Sequence, residues 1–337
     1  MQALVVDDDF VTRELLRNAM EASGFEALLA ENGRQALEIL RAGQARLVVT
    51  DWEMPEMDGL TLCQAIRAEE LGRYVYVILL TCREGTSNVV EGLAAGADDF
   101  VSKPFEPSEL SMRLRAGARV LSLETRDLAI FALAKLAESR DPETGGHLER
   151  VRMYSRELAG HLAGQAKFAE RVDAGFIRLL YLTSPLHDVG KVGIPDHVLL
   201  KPGRLDDHEF EIMKTHTTQG AATLESALEQ YPEAVFLRMA RDIALSHHER
   251  YDGNGYPEGR AGEDIPLCAR VFAVADVYDA LVSKRVYKDA FTHDIAKGII
   301  LEGSGTQFDA DVVEAFKARE AVFAAIRAQH RETAQAA

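Results

Sequence analysis

The sequence predicts two domains: an α/β doubly wound, five-stranded parallel sheet, then a long helix leading into an all-α helical bundle. Three observations carry this. In the first 120 residues, short apolar runs alternate with stretches whose apolar residues recur every three or four positions. From Ser108 to Glu138 there is no proline and Gly117 is the only glycine. Beyond about residue 138 apolar residues keep a helical spacing, and no convincing strand alternation appears.

The five strand-like runs are Ala3–Val6, Ala27–Ala30, Leu47–Thr50, Val75–Leu80 and Phe100–Val101. Helical patterns fill the gaps at Thr12–Ala22, Arg34–Ala42, Leu60–Glu69 and Asn88–Ala95. Pro107 suits the first turn of a helix. Leu110, Leu114, Leu121, Leu128 and Phe131 then fall close to a heptad seam. That seam either pairs with a second copy as a homodimer or packs on the two domains. In the second domain helices are expected over Leu148–Leu162, Ala174–Leu182, Glu209–His216, Ala234–Leu245 and Leu267–Leu281. The expected division is 1–120, a connecting helix 121–137, a helical domain 138–325, and a tail 326–337 that reads as a frayed helix.

Composition narrows the function classes. A 337-residue chain is long enough for two cores. Its net charge of -16 argues against a broad duplex-DNA footprint. The three cysteines, Cys63, Cys82 and Cys268, show no paired spacing, which fits a reduced compartment. No apolar run reaches membrane-spanning length, and the start lacks the basic opening of a signal peptide. A cytoplasmic protein is the expectation.

In a doubly wound sheet, ligands sit at the carboxyl ends of the strands. Asp7-Asp8 follows the first strand, Asp51 the third and Lys103-Pro104 the fifth, while Thr81 ends the fourth. Carboxylates converging on one edge repel unless a hard cation joins them, and Mg²⁺ fits that oxygen set. A carboxylate beside Mg²⁺ can attack a phosphoryl group. Thr81 could then bond the new oxygens and Lys103 neutralise one. The plain alternative is that such acids cap helices, which suits Asp8 or Asp9 alone.

Val5-Val6-Asp7-Asp8, Asp51-Trp52-Glu53-Met54-Pro55, Met57-Asp58-Gly59, Thr81 and Lys103-Pro104-Phe105 resemble the receiver domain of two-component response regulators, a flavodoxin-like fold. The resemblance covers roughly residues 1–120. It implies that Asp51 accepts phosphate from a sensor histidine kinase. It further implies that Asp7, Asp8, Asp51 and the Glu53 carbonyl hold Mg²⁺, that Thr81 with Phe100 forms the switch, and that Lys103-Pro104 is cis.

The second domain is organised around His187-Asp188-Val189-Gly190-Lys191. The imidazole supplies one metal ligand, the carboxylate can bridge two metals, and Lys191 offers a cation or a proton. An isolated His-Asp pair is more often a cap and a hydrogen bond, so the case depends on further ligands. Glu143 and His147 stand four apart, one helical face if that segment is helical. His216, the pair His247-His248, and Asp276 within Val274-Ala275-Asp276-Val277 complete the set. Each alone has a bland account; a buried Asp276, however, is costly unless paired or metal-bound. Histidine and carboxylate without cysteine suits iron, manganese or zinc, with the carboxylate share favouring iron or manganese. Eight candidate side chains suggest two metals, with Glu143 available to a third. Two metals sharing Asp188 would hold a hydroxide and clamp a phosphodiester for in-line attack. The segment Glu249–Pro257 is a structured loop able to wall a pocket and stack on a base. Arg285 and Tyr287-Lys288 are local cations suited to phosphate or guanine.

Glu143-Thr144-Gly145-Gly146-His147, His187-Asp188-Val189-Gly190-Lys191, His216, His247-His248-Glu249, Gly253-Asn254-Gly255-Tyr256-Pro257, Val274–Val277 and Arg285–Lys288 together resemble the HD-GYP domain, over roughly 125–320. The resemblance implies hydrolysis of cyclic di-GMP to pGpG, and in some members to GMP. It implies metal ligation by Glu143, His147, His187, Asp188, His216, His247, His248 and Asp276. Lys191 with Asp279 would assist leaving-group protonation, and Tyr256, Arg285 and Lys288 would contact substrate. The reading is a phosphorylation-controlled, metal-dependent cyclic di-GMP phosphodiesterase. Its rivals are a phosphohydrolase of another nucleotide and a cyclic di-GMP sensor that recruits a partner without turnover.

Overall fold

The computed structural model describes residues 1–337 apart from 70, 72, 83–85, 141–145, 284–289 and 336–337. The chain divides into two compact units, Met1–Asp127 and Leu128–Ala337.

The first unit runs β1 (Gln2–Val6), α1 (Phe10–Ala22), β2 (Glu26–Ala30), α2 (Gly33–Arg41), β3 (Leu47–Asp51), α3 (Gly59–Ala68), β4 (Tyr76–Thr81), α4 (Thr86–Ala94) and β5 (Asp99–Ser102). The strands are all parallel in the order β2-β1-β3-β4-β5. The central strands are apolar along nearly their whole length because helices cover both faces of the sheet. Leu4, Val48, Val77 and Leu79 pack on one side, Val5, Val49, Ile78 and Leu80 on the other. The winding reverses between β1 and β3, so the ends of those strands open a crevice. Asp7 follows β1 and Asp51 closes β3, which places both at that reversal. Side-chain caps start the helices: Asp9 accepts from the Thr12 amide at 2.8 Å, Asn32 from Gln35 at 3.0 Å and Asp58 from Thr61 at 2.8 Å. Asp9 is therefore the capping acid of the Asp7-Asp8-Asp9 run. Lys103-Pro104 is cis, as is Tyr256-Pro257.

The next helix, α5 (Pro107–Glu138), is continuous over 32 residues. Leu110, Leu114 and Leu121 are buried in the core of the first unit, and Ala134 in that of the second. With Phe131 part-buried against the core of the second unit, four of the five expected seam residues pack within their own unit, whereas Leu128 is 57% exposed.

The second unit contains α6 (His147–Ala163), α7 (Ala174–Thr183), α8 (Asp196–Leu199), α9 (Asp207–Gln230), α10 (Val235–Ser246), α11 (Leu267–Val282), α12 (His293–Glu302) and α13 (Ala310–Gln335). Among the described residues it has isolated β-bridges but no β-strand. The α11 helix is apolar on most sides and buried on most sides, the pattern of a central helix. Tyr154, Phe272, Tyr278, Phe316 and Phe323 fill the core around it. At the start of the expected frayed tail, Ile326 is buried and the Arg327 guanidinium donates to the carbonyls of Val282 and Phe291 at 2.8 and 3.2 Å. Phe323 and Ile326, three apart, lie on the face that α13 turns inward. Among the described residues, no helix is long and apolar enough to cross a membrane.

Two short 3-10 segments, Ser184–Leu186 and Val189–Gly193, flank His187-Asp188. The second lies against α9 backbone to backbone. A Cβ on Gly190 would come within 1.9 Å of the His216 carbonyl oxygen and 2.5 Å of the Gly220 amide nitrogen. Only glycine allows this approach, which holds Asp188 and His216 together. Gly190→Ala should lower stability by about 1–3 kcal/mol through overpacking. Urea unfolding followed by near-ultraviolet circular dichroism would measure it, and an unchanged midpoint would contradict the close packing.

Candidate active site

In the first unit, carboxylate oxygens of Asp7, Asp8 and Asp51 lie within 4.8 Å of one another. The Lys103 ammonium bridges two of them, 3.0 Å from Asp7 Oδ2 and 2.7 Å from Asp51 Oδ1. Burial raises the Asp7 pKa, and Lys103 opposes the rise. Burial lowers that of Lys103, but its bonds to Asp51 and Asp7 outweigh this and keep it protonated. Thr81 is buried at the end of β4, Phe100 packs part-buried from β5, and Glu53 is exposed just beyond β3. Asp7, Asp8, Asp51 and Lys103 therefore meet at the strand ends as a hard-oxygen cluster with a fixed cation.

In the second unit, five histidines and two aspartates converge. Four of the rings, those of His147, His187, His216 and His247, are oriented from their far side. His187 Nδ1 lies 3.0 Å from the Ser184 carbonyl oxygen and His216 Nδ1 2.7 Å from that of Met213. His247 Nδ1 lies 3.1 Å from the carbonyls of both Ile243 and Ala244. A carbonyl can only accept, so each Nδ1 carries the hydrogen and each Nε2 presents its lone pair. His147 is held likewise, its Nδ1 2.8 Å from Asp279 Oδ2.

The ligand atoms form two clusters. His216, His247 and His248 make one; His147, His187 and Asp276 make the other. Asp188 stands between them. Its Oδ2 is 3.2 Å from His187 Nε2; its Oδ1 is 3.2 Å from His216 Nε2 and 3.7 Å from His247 Nε2. Asp276 Oδ1 is 3.6 Å from His147 Nε2.

The donor set fits divalent metals. His216 Nε2 faces His247 Nε2 at 3.4 Å. Two lone pairs at that separation repel each other, and a cation between them turns the repulsion into ligation. Burial lowers the pKa of His247 and drives that of His248 well below its usual value, helped by neighbouring imidazoles. Both rings are therefore neutral and able to ligate. Burial would lower His187 too, but the charges of Asp188 and Asp276 prevail and raise it, so negative potential is in excess there. Burial pushes the Asp188 carboxyl up, yet Lys191 and His187 hold it well below the carboxylate range. Lys191, carried on the 3-10 segment after Asp188, has its Nζ 2.7 Å from Asp188 Oδ2.

Asp279, expected beside Lys191 in leaving-group protonation, is paired on both of its oxygens. Arg150 grips it with two bonds, Nε to Oδ1 at 2.6 Å and Nη2 to Oδ2 at 2.9 Å, while His147 takes Oδ2 as well. Burial alone would raise its pKa, but His147 and Arg150 outweigh that and hold it at about 2. It is a buried carboxylate with a partner on each oxygen. It stands behind His147 and fixes that ring. Arg150, its counter-charge, sits one helical turn after His147 on α6, a spacing that could have pointed to it.

Tyr256 lies over the His248 ring, centroids 4.7 Å apart at 31°. A cleft of about 840 Å³, counting its open mouth, begins at His247 and His248 and is lined also by Tyr256, Phe210, Lys214 and Val277. Sequence reasoning missed Phe210 and Lys214 because both looked like ordinary positions of the helix leading to His216. Glu143, Arg285 and Lys288 lie outside the described residues.

Comparison with known proteins adds the following. The family model for the response regulator receiver domain matches residues 3–115, and that for the HD domain residues 132–312. A Vibrio cholerae protein named probable cyclic di-GMP phosphodiesterase is 39% identical over 95% of this chain and 78% of its own length. The cyclic di-GMP phosphodiesterase response regulator RpfG of Xanthomonas campestris is 37% identical over 94% of this chain and 86% of its own. The 3'3'-cGAMP-specific phosphodiesterase 2 of Vibrio cholerae is 40% identical over 61% of this chain and 37% of its own.

The Asp279 geometry makes a measurable claim. Asp279→Asn should weaken metal binding about 10–100-fold, as loss of an outer partner of a ligating histidine does. Competition with a fluorescent chelator would read it. Unchanged affinity with a lower turnover would instead support the acid role.

Proposed function

Since the chain belongs to the family of cyclic di-GMP phosphodiesterase response regulators, a receiver domain followed by an HD domain, we propose that it hydrolyses cyclic di-GMP to linear pGpG under control of phosphorylation at Asp51. The observation that carries the site assignment is Asp188, with one carboxylate oxygen turned to each histidine cluster. His147, His187, Asp188 and Asp276 would hold one metal, and Asp188, His216, His247 and His248 the other. Iron or manganese suits this mixture of imidazole and carboxylate without thiolate. Such metals supply charge neutralisation to the phosphodiester and a water acidic enough to attack at neutral pH.

The chain's own groups do the rest. Attack at phosphorus breaks the bond to the ribose 3′ oxygen, and that oxygen takes a proton from Lys191 Nζ. Asp188, held ionised, places Lys191 through the contact between its Oδ2 and Lys191 Nζ at 2.7 Å. The ring of Tyr256 is available to a base. Arg285 and Lys288 are proposed substrate contacts, and Glu143 a ligand for a third metal, with which hydrolysis would continue to GMP. In the receiver, Asp51 would take phosphate from a sensor histidine kinase, with Mg²⁺ held by Asp7, Asp8, Asp51 and the Glu53 carbonyl. Thr81, Phe100 and Lys103 would respond to it, and α5 would relay the change. A second reading, a hybrid cyclic dinucleotide as substrate, is favoured by the likeness to the 3'3'-cGAMP-specific enzyme.

The full chain loaded anaerobically with Fe²⁺ or Mn²⁺ should convert cyclic di-GMP to pGpG or GMP, and Asp188→Ala should leave no product by chromatography. Binding without turnover by the unmutated chain would overturn the enzyme assignment. An acyl-phosphate mimic such as beryllofluoride should change the rate at least several-fold, and Asp51→Asn should abolish the response. An unchanged rate would remove the regulatory link.

A further inference from the structure

The α9 helix reaches the metal site at His216, and the residues just before it form a wall of their own. Phe210 and Lys214 are four apart, hence on one stripe of the helix. The core-facing side of α9 is made by His216, Gly220, Leu224 and Leu228. Phe210, by contrast, is 46% exposed, so core packing does not account for a large aromatic there. Its ring meets Tyr256 edge to face, centroids 6.2 Å apart at 81°. The Lys214 ammonium lies 5.6 Å from the centre of the Phe210 ring and 5.7 Å from that of Tyr256. Tyr256 in turn covers His248. Aromatic rings and one ammonium thus continue outward from a proposed metal ligand along one side of the cleft. The other partner of Lys214 is Glu211 at 2.7 Å, a 68% exposed carboxylate that water screens and an incoming anion can replace.

A cyclic dinucleotide presents two phosphates and two purines. When one phosphate reacts, the other remains fully charged and needs a cation, and in a chain of net charge -16 that cation must be local. Building on the phosphodiesterase reading, we propose that Phe210 and Lys214 form the recognition wall for the unreacting half of the substrate. Lys214 meets the second phosphate, and the Phe210 ring takes a purine face. This wall selects a dinucleotide over a simple phosphodiester, which needs only the metals.

The test compares cyclic di-GMP with bis(p-nitrophenyl) phosphate, which has one phosphate and no purine, on the same preparations of the full chain. Phe210→Ala and Lys214→Ala should each raise KM for cyclic di-GMP about ten-fold, within the range for loss of one stacked base. Turnover of the small diester should stay within two-fold. Phe210→Trp and Lys214→Arg should restore KM. Calorimetric binding of cyclic di-GMP to the chelator-treated chain gives a readout independent of turnover, and both alanine variants should weaken it. Unchanged KM and binding would overturn the proposal, as would an equal loss on both substrates. If the unmutated chain binds cyclic di-GMP without hydrolysing it and the variants bind more weakly, the wall stands and the phosphodiesterase reading falls.

Discussion

Each site-facing histidine whose Nδ1 contact is seen is tied on its far side. The carbonyls of Ser184, Met213, Ile243 and Ala244, and the carboxylate of Asp279, take the Nδ1 hydrogens. Each tie commits a tautomer and aims an Nε2 lone pair inward. The resulting centre is electrostatically unfavourable on its own, with lone pairs 3.4 Å apart and a carboxylate among them. The surrounding structure holds that arrangement in place. Gly190 lets the Asp188 segment touch α9, and α11 brings Asp276 and Asp279 to His147 one turn apart. The Arg150–Asp279 pair is costly to bury, and its two bonds plus the one from His147 satisfy both oxygens.

The receiver pocket works on the same physics with a different donor set. Hard oxygens replace imidazoles, and Lys103 spans Asp7 and Asp51 where a phosphoryl group would add further negative charge. The α5 helix contributes Leu110, Leu114 and Leu121 to one core and Ala134 to the other. Its final turns, at Ala137 and Glu138, line a small cavity together with His147, His187 and Asp188.

Much of this was legible in the sequence. Strand ends mark themselves because a parallel sheet buries its interior and leaves polar residues only where the chain emerges, so Asp7, Asp51, Thr81 and Lys103 stood out. The candidate ligands mark themselves because His187-Asp188 and His247-His248 are adjacent in the chain. Asp279 was harder. Its spacing from Asp276 gives a shared face but not the neighbour across it, and Arg150 is remote in sequence. Phe210 and Lys214 were hidden because an aromatic and a lysine on a helix have ordinary explanations until the Tyr256 loop is seen opposite them. The packing of Ile326 and Arg327 was hidden for a similar reason. It is set by contact with α11 and the segment before α12, not by any local signal.

The central claim is a pair of metal positions sharing Asp188. Anomalous diffraction from crystals of the full chain grown with Mn²⁺ tests it most directly. The account predicts two peaks about 3.5–4 Å apart, one on each side of the Asp188 carboxylate. A single peak bound without Asp188, or no peak beside these histidines, would contradict it.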